Sequence, residues 1–179
     1  MNIETADYGT IIKFGTLDDL LRKVEYEKDS IENIVSIIDT AGISLLEKSI
    51  ISRKFDISHY LLNNGASVNI VSKEGLNEFH FLAANINYEG AIDIGRLLLN
   101  RGVSVMQKEN KYGNTAFFSL CIEAFKVRSE KVLEFLNDCL ERVTDVDDKN
   151  ISGYSIRSLI NERGTGELKK EMEAKWKNQ

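Results

Sequence analysis

Apolar and polar positions recur along this chain at a long interval. YLLNNGASVN, Tyr60 to Asn69, and LLLNRGVSVM, Leu97 to Met106, each run apolar residues into Asn-x-Gly, then a compact residue, Ser and Val. Self-similarity of this kind governs the whole fold and is read before any single motif. Further stretches align as well: DTAGISLLEKSI (Asp39 to Ile50), SKEGLNEFHFLA (Ser72 to Ala83), NKYGNTAFFSLC (Asn110 to Cys121) and NISGYSIRSLIN (Asn150 to Asn161). Each has a polar residue, two spacers, a glycine (Gly42, Gly75, Gly113 or Gly153), one spacer, and then Ser, Asn or Thr. Glycine suits a turn with positive φ, and a small polar residue after it suits a helix N-cap. A short helical stretch, a break and a longer helical stretch follow each opening. In the two best-kept copies the longer helix closes on Gly65 or Gly102, where a left-handed C-cap is favoured.

The flanks are helical too. IIKFGTLDDLLRKVEY (Ile11 to Tyr26) reads as a helix, a break at Gly15 and a second helix from Leu17, a capping pair without a hairpin. At the far end, GELKKEMEAKWKNQ spaces Leu168, Met172 and Trp176 as one apolar stripe, which predicts a helix sealing the core. Lys169, Lys170, Glu171, Lys175 and Lys177 are expected on its wet side.

These residues resemble the ankyrin repeat, whose unit reads D-x-x-G-x-T-P-L-H-x-A-A, a turn, then V-x-x-L-L-x-x-G-A-x-V-N. FDISHYLLNNGASVN (Phe55 to Asn69) reproduces the ending; NEFHFLAA keeps the opening's His and Ala, and GNTAFFSL its Gly and Thr. The family's four proline places hold Leu45, Glu78, Ala116 and Ile156 instead. Repeats two and three carry insertions near 85–89 and 125–129. The third replaces the Gly-Ala ending with RVTDVDDKN, read as a hairpin arm. The resemblance implies an all-α ankyrin-repeat solenoid, helix–turn–helix units joined by β-hairpin-like loops. It is expected to be one domain, with an N-terminal cap at 1–38, units at 39–71, 72–109 and 110–149, and a capping repeat at 150–179.

Composition narrows the function. The 179 residues are 42% hydrophobic and 28% charged, as in an ordinary globular domain. A net charge of −5 argues against a nucleic-acid partner. No apolar run approaches membrane length, and MNIETADYGT lacks the features of a signal peptide, so a cytoplasmic protein is expected. Cys121 and Cys139 lack metal-ligand spacing and read as reduced core thiols. Of the two histidines, His59 is expected on an outer helix face. His80 falls on the family's motif histidine, which the resemblance implies bonds turn backbone. No metalloprotease, nucleophile-elbow, phosphate-loop or dinucleotide motif occurs, so neither catalysis, nor a cofactor, nor a metal is expected.

What remains is surface. The resemblance implies a concave groove of hairpin tips and first helices, with partner-binding residues Ile43, Lys73, Glu74, Leu76, Lys111, Tyr112, Asn114, Ile151 and Tyr154. Ile51, Ser52, Asn85 and Glu123 are expected to face the same groove from the first helices. Exposed Ile43, Leu76, Tyr112, Ile151 and Tyr154 would form an apolar, aromatic ridge with a charged rim, the make-up of interface hot spots. The function expected is non-catalytic protein binding by a chain that is a monomer when free. The absence of proline beside abundant Lys, Asn and Ile has the look of a bacterial gene. Small ankyrin proteins in that setting resemble immunity proteins that neutralise a cognate toxin. The alternative is a secreted effector or regulatory subunit engaging host or cellular machinery.

Overall fold

A computed structural model describes residues 2–176, so Lys177, expected on the wet side of the terminal helix, lies outside the described residues. These residues are mostly helical and form no strand. The helices are α1 (Tyr8–Phe14), α2 (Leu17–Glu27), α3 (Ile31–Ile34), α4 (Leu45–Ile51), α5 (Phe55–Asn63), α6 (Glu78–Ala83), α7 (Ala91–Asn100), α8 (Ala116–Val127), α9 (Glu130–Leu140), α10 (Ile156–Arg163) and α11 (Gly166–Trp176). None is long and apolar enough to cross a membrane.

Each repeated opening starts a helix for a local reason. Ser44, Thr115 and Ser155 are N-caps whose hydroxyls accept the N–H of Glu47, Phe118 and Ser158 at 3.1–3.2 Å. Leu45, Glu78, Ala116 and Ile156 are the first helical residues. Proline is favoured in that position where the N–H would otherwise be orphaned, but here the Leu45 and Ala116 N–H groups donate to the Ile37 and Gln107 carbonyls at 3.3 and 2.9 Å, bonds that a proline would lose. The well-kept endings also close as expected. Gly65 and Gly102 have φ of +86° and +77°, and Ala66 and Val103 return their N–H to the carbonyls of Leu61 and Leu98 at 3.0 Å. That return bond satisfies a carbonyl the helix end leaves orphaned.

The helices pack in pairs, α1 with α2, α4 with α5, α6 with α7, α8 with α9 and α10 with α11. One row runs α1, α4, α6, α8, α10 and a second runs α5, α7, α9, α11, each member packed on the next. The buried side chains form one continuous core along these rows, with Phe79, Phe117 and Phe135 among its largest fully enclosed members. At its end, Leu168, Met172 and Trp176 of α11 are buried on α9 and α10.

Lys175 is exposed, as expected, and also has a role that the stripe does not reveal. Its ammonium donates to the carbonyls of Leu140, Glu141 and Val143 at 2.9, 2.7 and 3.3 Å. This ending lacks the glycine of the other two, so no left-handed turn folds back on the carbonyls of α9, and a lysine from α11 caps them instead. Arg101 acts similarly on α5, donating to the Leu62 carbonyl at 2.6 Å.

The insertions are absorbed differently. In the third unit the added residues extend α8 to Val127, with Arg128 left-handed behind it. In the second they form turns ending at Gly90, whose φ of +84° starts α7.

Candidate partner-binding surface

Four tight loops link the helix pairs, and their backbones define the tips. In three of them the first residue's N–H bonds the carbonyl four residues on: Asp39 to Ile43, Ser72 to Leu76 and Asn150 to Tyr154. The third loop runs from Glu109 to Asn114 and holds one residue more. Glu109 therefore takes the structural place that the sequence alignment assigns to Asn110, and Lys111 is the extra residue. A side chain of the first residue organises each loop. Asp39 accepts the N–H of Ala41 and Ile43, and Asn150 those of Ser152 and Tyr154. Glu109 reaches round the larger loop to the N–H of Lys111, Tyr112 and Asn114 at 2.7–3.1 Å. Burial works to raise the Glu109 carboxyl, but N–H donation from Asn114, Lys111 and Tyr112 outweighs it and holds the group below the usual range.

The loops are stitched to one another. Lys73 N–H donates to the Ala41 carbonyl, Asn110 N–H to Glu74 and Ile151 N–H to Tyr112, each at 2.9 Å. Asn110 and Asn150 add side-chain bonds to the Lys73 carbonyl and to Asn114 Oδ1, at 2.9 and 2.7 Å. The crossings leave little room. A Cβ on Gly75 would sit 2.7 Å from Asn110 Oδ1 and 2.9 Å from the Lys108 carbonyl, and its φ is +80°. The four tips thus form one hydrogen-bonded row whose spacing is held by backbone, a rigid platform for the side chains it displays.

Not all the expected residues are displayed. Lys73, Glu74, Lys111, Tyr112, Ile151 and Tyr154 are exposed, the last three at 50%, 74% and 52%. Ile43, Leu76 and Asn114 are half-buried, where exposure was expected. They stand just before a helix N-cap, where the chain already folds back toward the stack. Tyr154 holds the same place but no further loop follows to cover it. Asn114 is also bonded within the protein, its carbonyl to the Glu109 N–H and to His80 Nε2. Among the expected tip residues, the exposed apolar ones are therefore those of the third and fourth tips. There Ile151 lies beside Gly113, and the Lys111 ammonium stands 4.9 Å from the centre of the Tyr112 ring.

First-helix positions divide similarly. Ile51 is exposed, and Ser52 and Glu123 are partly so. Asn85 is buried, donating to the Phe81 carbonyl and accepting from Arg53 Nε at 2.9 Å, so it braces the turn after α6 and does not face a groove. Arg53 then lies over the Tyr88 ring at 3.7 Å. Tyr88 borders a cleft of about 640 Å³, which opens between α7 and α9 beside Glu89, Asp93, Arg96 and Lys131. The inserted turn builds this second, more polar concavity.

No protein-family model matches the chain, and no curated protein matches it either. Chemistry must then be argued from the residues themselves. His80 is buried in the stack, accepting the Asn77 N–H at Nδ1 (3.2 Å) and donating from Nε2 toward the Asn114 carbonyl (3.4 Å). Burial lowers its pKa, so the ring is neutral and bridges the second and third loops. His59 is exposed on α5 and bonded to Asn63. Both cysteines are free and buried, and burial pushes their thiols far from reactivity. Among the described residues no group of three or more His, Cys, Asp or Glu could hold a metal ion.

Proposed function

We propose that the chain is an ankyrin-type repeat solenoid that binds another protein through its loop tips and has no chemistry of its own. The observation that carries this reading is the exposure of Tyr112, Ile151 and Tyr154 on two adjacent tips joined by the Ile151 N–H to Tyr112 carbonyl bond. Large aromatic side chains on a preformed scaffold bind with little entropic loss, and such residues dominate interface energies. The rim of Lys73, Glu74 and Lys111 sets orientation and association rate. The narrower role we propose is neutralisation of a toxin by a cytoplasmic immunity protein, a task that suits a small rigid binder.

Replacing Tyr112 and Tyr154 together by Ala tests the reading. Binding to a partner recovered by co-purification should weaken by more than ~2 kcal/mol, the scale of a hot-spot pair, with the melting temperature unchanged. Normal binding by the double variant would move the functional surface elsewhere, first to the cleft at Tyr88. A partner that proves not to be a toxic product would end the immunity role while leaving the binding surface intact.

A further inference from the structure

Two glutamates that the binding reading leaves unused are completely enclosed. Glu47, in the first turn of α4, and Glu78, the first residue of α6, both have zero exposure. Each spends one carboxyl oxygen on the base of a loop. Glu47 Oε2 accepts the Ser44 N–H at 2.6 Å, where the first loop enters α4. Glu78 Oε1 accepts the Ile70 N–H at 3.2 Å, on the arm leading to the second loop. The other oxygens, Glu47 Oε1 and Glu78 Oε2, have no partner. An ionised carboxylate only accepts hydrogen bonds, so two unpartnered oxygens on enclosed carboxylates are costly, whereas a protonated carboxyl carries a donor of its own.

The surroundings supply no compensating positive charge. The charges acting on Glu47 are Glu78 from α6 and Asp39 from the first loop, both negative. Lys48, the nearest cation in sequence, is committed to an ion pair with Asp39. At Glu78 burial works to raise the carboxyl and backbone N–H groups to lower it, and the repulsion between the two glutamates is mutual. Among the described residues, neither glutamate takes part in a salt bridge.

We propose that Glu47 and Glu78 are an enclosed, proton-holding pair beneath the first two loops, so that this end of the stack is firmest when both carboxyls are protonated and loses stability as pH rises through neutrality. The device stands on the enclosed pair and does not depend on the identity of any partner. Burial raises the Glu47 pKa from 4.5 to about 7, with repulsion from Glu78 adding to it, and burial raises Glu78 too. A raised carboxyl pKa in the folded state means that folding takes up a proton. The stability it contributes is complete below the unfolded value of 4.5 and is lost as pH rises through about 7. With Glu47 alone titrating, the unfolding constant should rise roughly 70-fold between pH 5 and pH 8. His80 contributes with the opposite sign below its unfolded value of 6.5, so the glutamate contribution is read as a difference between variants.

The test combines a carbon-detected titration of the glutamate carboxyls in the full chain with urea unfolding of wild type, Glu47→Gln and Glu78→Gln at pH 5 and 8. The amide exchange of Ser44 and Ile70, corrected for intrinsic rate, follows the loops themselves. The expected result is a carboxyl midpoint near neutrality, a wild-type loss of stability at pH 8 that Glu47→Gln largely removes, and Ile70 protection that falls in step. Both carboxyls titrating below pH 5 would overturn the proposal, as would a Glu47→Gln variant with the wild-type pH profile or Ile70 protection that ignores pH. Should the glutamine variants fail to fold, the wild-type titration and exchange still decide.

Discussion

Gly95 sits in the middle of α7, where helix propensity alone would favour alanine by ~1 kcal/mol. The structure reverses that preference. A Cβ built there would lie 2.4 Å from Phe135 Cζ, 2.9 Å from Cε1 and 3.0 Å from Leu82 Cδ2. Carbon atoms prefer about 3.5–4.0 Å, so the Phe135 ring must retreat by roughly 1 Å. It has nowhere to go, being fully buried and stacked at 6.5 Å and 9° on the equally buried Phe79. Overpacking of this kind costs about 1–3 kcal/mol. After the propensity gain, Gly95→Ala should destabilise on balance, by up to roughly 2 kcal/mol, read as a lower midpoint in urea at unchanged slope. Adding Phe135→Leu should recover part of the loss, giving a double-mutant coupling of about 1 kcal/mol or more. Gly166→Ala is the control: nothing lies within 4 Å of its Cβ, and it should be neutral or slightly stabilising. A stabilising Gly95→Ala would refute the close approach of α7 to α9.

Three further outcomes are expected. Ending the chain before Gly166 removes the buried Leu168, Met172 and Trp176, each worth roughly 1.5–3 kcal/mol, so the melting temperature should fall markedly or the protein aggregate; an unchanged melt would make α11 a dispensable tail. Lys175→Met keeps the aliphatic stem but removes a donor from the carbonyls of Leu140, Glu141 and Val143, of which Leu140 keeps the Val143 N–H, and calorimetry should show a loss of about 1 kcal/mol or more that Lys175→Arg largely avoids; equal loss in both variants would mean the carbonyl bonds are not the cause. Reversing charge at exposed Lys73 or Glu74 should leave the melt unchanged and alter mainly the association rate and its salt dependence in stopped-flow binding; an effect confined to dissociation would place these residues inside the interface.

The features legible in the sequence are those written in local chemistry. The N-caps Ser44, Thr115 and Ser155, the left-handed Gly65 and Gly102 and the stripe of α11 each depend on neighbours a few residues away, so spacing alone reveals them. Register and long-range pairing do not show in this way. The sequence aligns Asn110 with Asp39, but the third loop has an extra residue, and Glu109 does the work because its longer side chain spans the larger turn. Asn85 reads as a groove residue until Arg53, 32 positions away, is seen to hold it. Ile43 and Leu76 read as exposed because nothing local says that the chain folds back over them. Gly95 and the enclosed Glu47 and Glu78 carry no local signal, since only packing across helices defines them. Where the tips lie was thus legible in the sequence, and how far their side chains are exposed was not.

The central claim is that the third and fourth tips meet a protein partner. A photoactivatable phenylalanine analogue placed at Tyr154, and separately at His59 on the outer face of α5, tests it most directly in cells of the native source. The expected result is one discrete crosslinked protein from position 154, lost when Tyr112 and Ile151 are both replaced by Ala, and none from position 59. Crosslinking from position 59 with none from position 154 would contradict the account.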